Sequence, residues 1–158
     1  MSDINGIKIE ANFHKGSLDF LNPKNWFKKS YSKDTTNILF IDDSDMPVVD
    51  NLKKAGYRVK KIRDVKDIDN AEVKNAQIIF VDYKGVGKNI SENYEGLGLI
   101  ERFTETYPKN KRVILYSASN FPNKIVLNNI FNKAHNRIPK NAETCEFIKM
   151  IESEIKKL

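Results

Sequence analysis

Cysteine is nearly absent from this 158-residue chain, which has one, Cys145. A single cysteine excludes an internal disulfide framework and any metal site built from several cysteines. No apolar stretch approaches the roughly 18 residues that a membrane-spanning helix needs. The N-terminus also lacks a basic segment followed by an apolar one, so no secretory signal is predicted. Together these absences favour a protein without a membrane span that resides in the cytoplasm.

Histidine is also scarce, because the chain has only His14 and His135, too far apart in sequence to suggest a metal pair. The net charge is +6 and the pI is near 9.3. Lysines are scattered along the chain, and no dense basic block with interleaved aromatics occurs outside residues 26–29. Clustered basic residues are the usual footprint of nucleic-acid binding, so a nucleic-acid partner is not expected.

Strand-like and helix-like segments alternate from Asn37 onward. Strands are expected at residues 37–41, 57–62, 77–81, 111–116 and 135–138. Helices are expected after a cap at Ser44 or Asp45 up to Gly56, and at residues 64–73, 96–107, 121–133 and 142–157. Such alternation favours a parallel sheet with helices on both faces. The first, third and fourth strands are almost wholly apolar, as central strands are, whereas the second alternates with charges, as an edge strand does.

These features predict a flavodoxin-like, doubly wound five-stranded α/β sheet with strand order 2-1-3-4-5. Residues 37–158 are the expected domain. Residues 1–36 do not fit the repeat and are too few to bury a core of their own, so they are expected to form an N-terminal arm. The polar stretch 83–95 is long for a strand-to-helix connection, where about 2–6 residues is usual.

Five side chains with suitable chemistry follow the predicted strands. Asp42 and Asp43 come after the first strand, Asp82 after the third, Ser117 after the fourth and Lys140 after the fifth. In a parallel sheet the carboxyl ends of the strands line one crevice, where ligands bind. Each residue alone has a plainer explanation as a helix cap, turn former or surface lysine. Their occurrence at four strand ends favours one site, with acids for a divalent cation and a hydroxyl and an ammonium for a phosphoryl group.

The segment from residue 37 to residue 158 resembles the receiver domain of bacterial two-component response regulators, the CheY-like domain. The segments that carry the resemblance are Phe40–Ser44, Phe80–Asp82, Leu115–Ala118 and Ile138–Lys140, each at the end of a predicted strand. The resemblance covers about three quarters of the chain, an estimate from the predicted element boundaries.

The resemblance implies a role for each residue of the site. Asp82 corresponds to the phosphoacceptor. Asp42 and Asp43 correspond to the acid pair that holds Mg²⁺ together with Asp82, Asp43 directly and Asp42 through water. The backbone carbonyl of Lys84 would complete the protein ligands.

The other two site residues have roles toward the phosphoryl group. Ser117 corresponds to the hydroxyl residue that hydrogen-bonds this group and moves on activation, and Lys140 to the lysine that pairs with the acids and then with the phosphate. The sequence also departs from the family pattern. Arg137 replaces an aromatic residue that switches rotamer, Pro139 precedes the lysine instead of following it, and Gly85-Val86 replaces a Met-Pro pair. The resemblance is therefore to a divergent receiver.

The favoured function is a stand-alone receiver, an Mg²⁺-dependent phosphoacceptor that signals through protein–protein contacts. A histidine kinase or a phosphotransfer protein would be the donor, and the output partner is a protein of unknown identity. No enzymatic activity is expected beyond slow self-phosphorylation and dephosphorylation. The alternative is a pseudo-receiver, an interaction or adaptor module without phosphotransfer. A phosphatase of the haloacid dehalogenase type is disfavoured, because no acidic pair follows Lys140 to complete its metal site.

Overall fold

A computed structural model of the chain describes residues 30–118 and 129–158. These residues fall almost entirely within one compact unit, Tyr31–Leu158. Most of the arm predicted at residues 1–36 and most of the helix predicted over residues 121–133 lie outside the described residues. The division of the chain at residue 36 stays a prediction.

Five parallel strands form one sheet in the order β2-β1-β3-β4-β5, which confirms the predicted topology. The strands are β1 Asn37–Ile41, β2 Arg58–Ile62, β3 Ile78–Asp82, β4 Arg112–Ser117 and β5 Asn136–Pro139. The helices that lie wholly within the described ranges are α1 Pro47–Lys54, α2 Ala71–Asn75, α3 Gly96–Thr106 and α4 Thr144–Ile155, and residues 129–131 are helical too. None of the helices in these ranges is long and apolar enough to cross a membrane.

The core lies on both faces of the sheet, since successive side chains of a strand point to opposite sides. One cluster contains Leu39, Ile79 and Phe103, and the other contains Phe40 and Phe80. The Phe40 and Phe80 rings stack with their centroids 4.4 Å apart. Because β1 and β3 are buried on both faces, the strands are fixed in position and so are the residues that follow them.

The helix expected at residues 64–73 is wrong in its position, because the helix α2 begins at Ala71. The Asn70 side chain caps it by accepting the N–H of Glu72 at 2.8 Å. Asp64 accepts the N–H of Val65 at 2.7 Å. Short acidic and amide side chains that bond to nearby backbone compete with a helix, and residues 64–70 are irregular here, with a turn at residues 68–69.

The predicted cap of the first helix is also wrong. The N-cap of α1 is Met46, without a side-chain hydrogen bond, and Pro47 occupies the first turn as expected. Ser44 does not cap the helix because its side chain and its N–H both bond to Asp42. Gly56, at φ +86°, follows the helix end as predicted, in the left-handed conformation that glycine adopts readily.

Candidate functional site

The carboxyl ends of β1, β3, β4 and β5 bring the predicted residues to one edge of the sheet. Carboxylate oxygens of Asp42, Asp43 and Asp82 all lie within 4.8 Å of one another. Ser117, the last residue of β4, is 4% exposed, and its carbonyl accepts the N–H of Lys140 at 2.9 Å. The parallel sheet thus assembles three acids, a hydroxyl and a lysine from segments that are distant in the sequence.

Lys140 bridges two of the acids. Its Nζ lies 2.6 Å from Asp82 Oδ2 and 2.8 Å from Asp42 Oδ2. The lysine side chain is 16% exposed, and its pKa is raised because the two carboxylates outweigh the lowering caused by burial. One ammonium cannot balance three carboxylates, so the cluster keeps an excess of negative charge if all three are ionised.

Asp42 is fully buried, and both its carboxylate oxygens are engaged. Its Oδ1 accepts the Ser44 N–H at 2.7 Å and the Ser44 hydroxyl at 2.6 Å. Its Oδ2 accepts the Tyr116 hydroxyl at 2.7 Å and the Lys140 ammonium. Burial alone would raise the pKa of Asp42, but the hydrogen bonds from Lys140, Ser44 and Tyr116 outweigh it and lower the pKa. Asp42 is therefore held ionised.

Asp82 has the opposite electrostatic balance. It is 6% exposed, and burial raises its pKa, with a further upward contribution from the charge of Asp42. Lys140 and the backbone N–H of Lys84 oppose this rise without cancelling it. Desolvation favours the neutral form of a carboxyl group, so a positive charge nearby helps Asp82 to remain ionised.

Asp43 is exposed and lies against the loop that follows β3. A Cβ atom at Gly85 would lie 2.5 Å from Asp43 Oδ2, and Gly85 has φ +86°. The loop is anchored by its own contacts, because the Gly85 N–H donates to Glu95 Oε2 and the Gly87 N–H donates to Asp64 Oδ1, both at 2.6 Å. Glycine at position 85 thus lets the loop approach the exposed acid closely.

No family model matches the sequence, and no curated protein does. Solved structures do match. A response regulator from Thermotoga maritima aligns at a TM-score of 0.55 and 23% identity, over 77% of this chain and 98% of its own. The receiver domain of NtrX from Brucella abortus aligns at a TM-score of 0.59 and 20% identity, over 76% of this chain and 98% of its own. The BeF3-activated DrrB receiver domain aligns at a TM-score of 0.58 and 17% identity, over 77% of this chain and 98% of its own.

This chain has the fold of a response-regulator receiver domain. The match covers nearly the whole of the isolated receiver structures but only 27% of a longer NtrX chain in complex with ATP. Within the receiver fold, the residues that carry the sequence resemblance, Asp42, Asp43, Asp82, Ser117 and Lys140, lie at one edge of the sheet.

Arg137, which stands in place of an aromatic residue in the sequence resemblance, contacts the residues that precede β5. Its Nη2 donates to the carbonyl of Phe131 at 2.9 Å and to Asn132 Oδ1 at 3.0 Å. The guanidinium lies 5.4 Å from the centre of the Phe131 ring, on which the Tyr83 ring stacks at 5.9 Å. Tyr83 directly follows Asp82, so a row of contacts joins the acid site to the exposed end of β5.

The donor set fits a hard divalent cation. Mg²⁺ takes oxygen ligands and is usually bound through one or two carboxylates with water and phosphate. Here the exposed Asp43 and the buried Asp82 offer carboxylate oxygens that lie within 4.8 Å of each other. The backbone carbonyl of Lys84 stays a predicted ligand.

Two residues of the site were missed in the sequence. Both lie in segments that carry the family resemblance, but neither Ser44 nor Tyr116 was predicted to be a site residue, and Ser44 was expected to be a possible helix cap. The pairing of β3 with β4 sets Tyr116 beside Asp82. A tyrosine just before the strand-end serine was the available signal, since a buried phenol generally needs a hydrogen-bond partner.

Proposed function

We propose that this chain is a phosphoacceptor receiver that takes a phosphoryl group on Asp82 and signals through protein–protein contacts. The observation that carries the proposal is the Lys140 ammonium, 2.6 Å from Asp82 and 2.8 Å from Asp42, in a cluster that includes Asp43. Lysine bridging within an acid cluster is a costly arrangement for stability alone, because buried charges are desolvated. It suits a site that must counter the charge of a phosphoryl group.

The chemistry requires a nucleophile and a stabilised transition state. An Asp82 carboxylate oxygen attacks phosphorus, a new O–P bond forms, and the bond from phosphorus to the leaving group breaks with its electron pair going to that group. The product is an acyl phosphate on Asp82. Positioning and charge stabilisation dominate such transfers. Lys140 would counter charge on the phosphoryl oxygens, and Ser117 would donate a hydrogen bond to one of them.

A divalent cation would be held by Asp43, Asp82 and the backbone carbonyl of Lys84, with Asp42 acting through water. When bound, Mg²⁺ would neutralise carboxylate and phosphoryl charge. A histidine kinase or a phosphotransfer protein is the proposed donor, and a protein of unknown identity receives the signal. Beyond slow self-phosphorylation and dephosphorylation we propose no enzymatic activity. We expect this exchange to occur in the cytoplasm, as the sequence predicts.

Intact-protein mass after treatment with acetyl phosphate and Mg²⁺ tests the proposal. The wild type is expected to gain one phosphoryl group, and Asp82→Asn none. The variant Asp45→Asn is the matched control, because Asp45 is an exposed acid near Asp43 but outside the three-carboxylate cluster. Equal labelling of the wild type and Asp82→Asn, or no labelling of the wild type, would contradict the assignment.

The alternative of an adaptor without phosphotransfer is supported by Arg137. Arginine supplies no aromatic ring that could change rotamer at this position, and its side chain donates a hydrogen bond to the Phe131 carbonyl instead. Beryllofluoride with Mg²⁺ distinguishes the two functions, because it mimics a phosphoryl group on an aspartate. Amide NMR shifts that spread from Asp82 to Tyr83 and Arg137 would favour a switch. Unchanged spectra, beside an acetyl phosphate result that is also negative, would favour the adaptor.

A further inference from the structure

Tyr116 lies at the base of the acid cluster and is fully buried. Its hydroxyl donates to Asp42 Oδ2 at 2.7 Å, so the side chain reaches from β4 toward the end of β1, past the intervening β3. The ring packs edge-on against Phe40 at 5.7 Å and against Phe80 at 6.2 Å. These contacts fix the ring, and with it the position of the hydroxyl.

The hydrogen bond from Tyr116 completes the coordination of the Asp42 carboxylate. An ionised carboxylate has about four lone-pair positions. Two on Oδ1 are taken by the N–H and hydroxyl of Ser44, and two on Oδ2 by Tyr116 and Lys140. In this arrangement Asp42 offers no vacant lone pair as a direct ligand to a cation, and a contact through water would have to share an oxygen that already accepts two hydrogen bonds.

We propose that Tyr116 is a positioning residue that reserves Asp42 for Lys140 and so directs a divalent cation to Asp43 and Asp82. The inference rests on the proposed function, since it concerns the cation of that same site. Tyr116 acts only through Asp42.

Replacing Tyr116 by phenylalanine removes the donor and keeps the ring. Asp42 Oδ2 then regains a lone pair beside Asp43 and Asp82, and a third carboxylate becomes available to the cation. Because this hydrogen bond is made to a charged group, releasing it is expected to tighten Mg²⁺ binding by about tenfold or more.

Calorimetric titration of Mg²⁺ into wild type, Tyr116→Phe and Tyr57→Phe measures this effect. Tyr57 is the matched control, because it is a buried tyrosine whose hydroxyl donates to a carboxylate, Glu152 Oε1, at 3.0 Å. Its hydrogen bond is formed with α4 and not with the acid cluster. Tyr57→Phe is therefore expected to lose stability but to bind Mg²⁺ as the wild type does.

A double variant separates positioning from a general loosening of the core. In the Asp42→Asn background, Tyr116→Phe is expected to leave Mg²⁺ affinity unchanged, because the acceptor through which it acts is neutral. A threefold or larger tightening that persists in that background would overturn the proposal. Equal or weaker affinity of Tyr116→Phe than of the wild type would also overturn it while leaving phosphorylation of Asp82 intact. Absence of Mg²⁺ binding in all variants would overturn it together with the proposed function.

Discussion

Replacing Lys140 by methionine removes the cation that two buried carboxylates share. Methionine keeps most of the apolar stem, so the change is chiefly one of charge. The Asp42 and Asp82 side chains are 0% and 8% exposed, and water cannot replace the ammonium freely. Removing one partner of a buried ion pair typically costs about 3–5 kcal/mol, and we expect a loss of unfolding free energy in that range at pH 7.

Lys133→Met is the matched control. Lys133 also bridges two carboxylates, Glu101 at 2.6 Å and Glu105 at 2.9 Å, but these three side chains are 36%, 32% and 53% exposed. Exposed pairs contribute about 0.2–1 kcal/mol each, so the control is expected to lose little stability. Urea is the suitable denaturant for both variants, because it is uncharged and leaves the ionic strength constant.

The stability that Lys140→Met loses is expected to depend on pH because of the raised pKa of Asp82. Burial raises its pKa in the fold, and without Lys140 the pKa rises further. The folded state then holds a proton that the unfolded state has released, so the variant loses stability as pH rises through that window. The deficit relative to the wild type is expected to be smallest near pH 4 or below and to grow toward neutral pH. Equal losses in Lys140→Met and Lys133→Met at pH 7 would refute the reasoning.

Three other changes test other parts of the structure by urea unfolding. Gly85→Ala is expected to lose more unfolding free energy than Gly56→Ala. Both glycines have φ +86°, where an alanine is strained by about 1–2 kcal/mol, but only the new Cβ at position 85 would meet Asp43. Equal losses in the two variants would contradict this. Burial lowers the pKa of Lys111 to about 8, so between pH 8 and 10.5 the unfolded state binds a proton that the folded state has released. The stability of the wild type relative to Lys111→Met should therefore rise with pH in this range, by up to about 1.4 kcal/mol per pH unit. A difference that does not change with pH would contradict this. Glu154→Gln should cost about 1–3 kcal/mol, since this buried carboxylate accepts from three side chains; a loss below 0.5 kcal/mol would contradict it.

The topology was predictable because its signals are local. The apolar runs that became β1, β3 and β4 and the charged run that became the edge strand β2 are visible without any contact information. Parallel strands present their carboxyl ends at one edge of the sheet, and this rule alone predicts that Asp42, Asp82 and Lys140 lie together.

The prediction failed where side chains formed hydrogen bonds that local propensity does not encode. Ser44 or Asp45 was expected to cap α1, but Ser44 bonds to Asp42, two residues earlier in the chain. Residues 64–70 were expected to be helical, but the carboxylate of Asp64 holds the N–H of Gly87, which is 23 residues away. Helical propensity is a weak preference, and one long-range hydrogen bond is enough to override it.

The sequence by itself determined the strand order and which acids, hydroxyl and lysine follow the strands. The reason is that apolar runs and alternating patterns, which distinguish central from edge strands, are local features of the chain. Only the tertiary structure decided how those groups divide their roles. Tyr116 and Ser44 occupy Asp42, Lys140 is shared with Asp82, and Asp43 remains exposed. Such a division depends on strand register and on distances of about 3 Å between groups up to 98 residues apart, which periodicity along a chain does not encode.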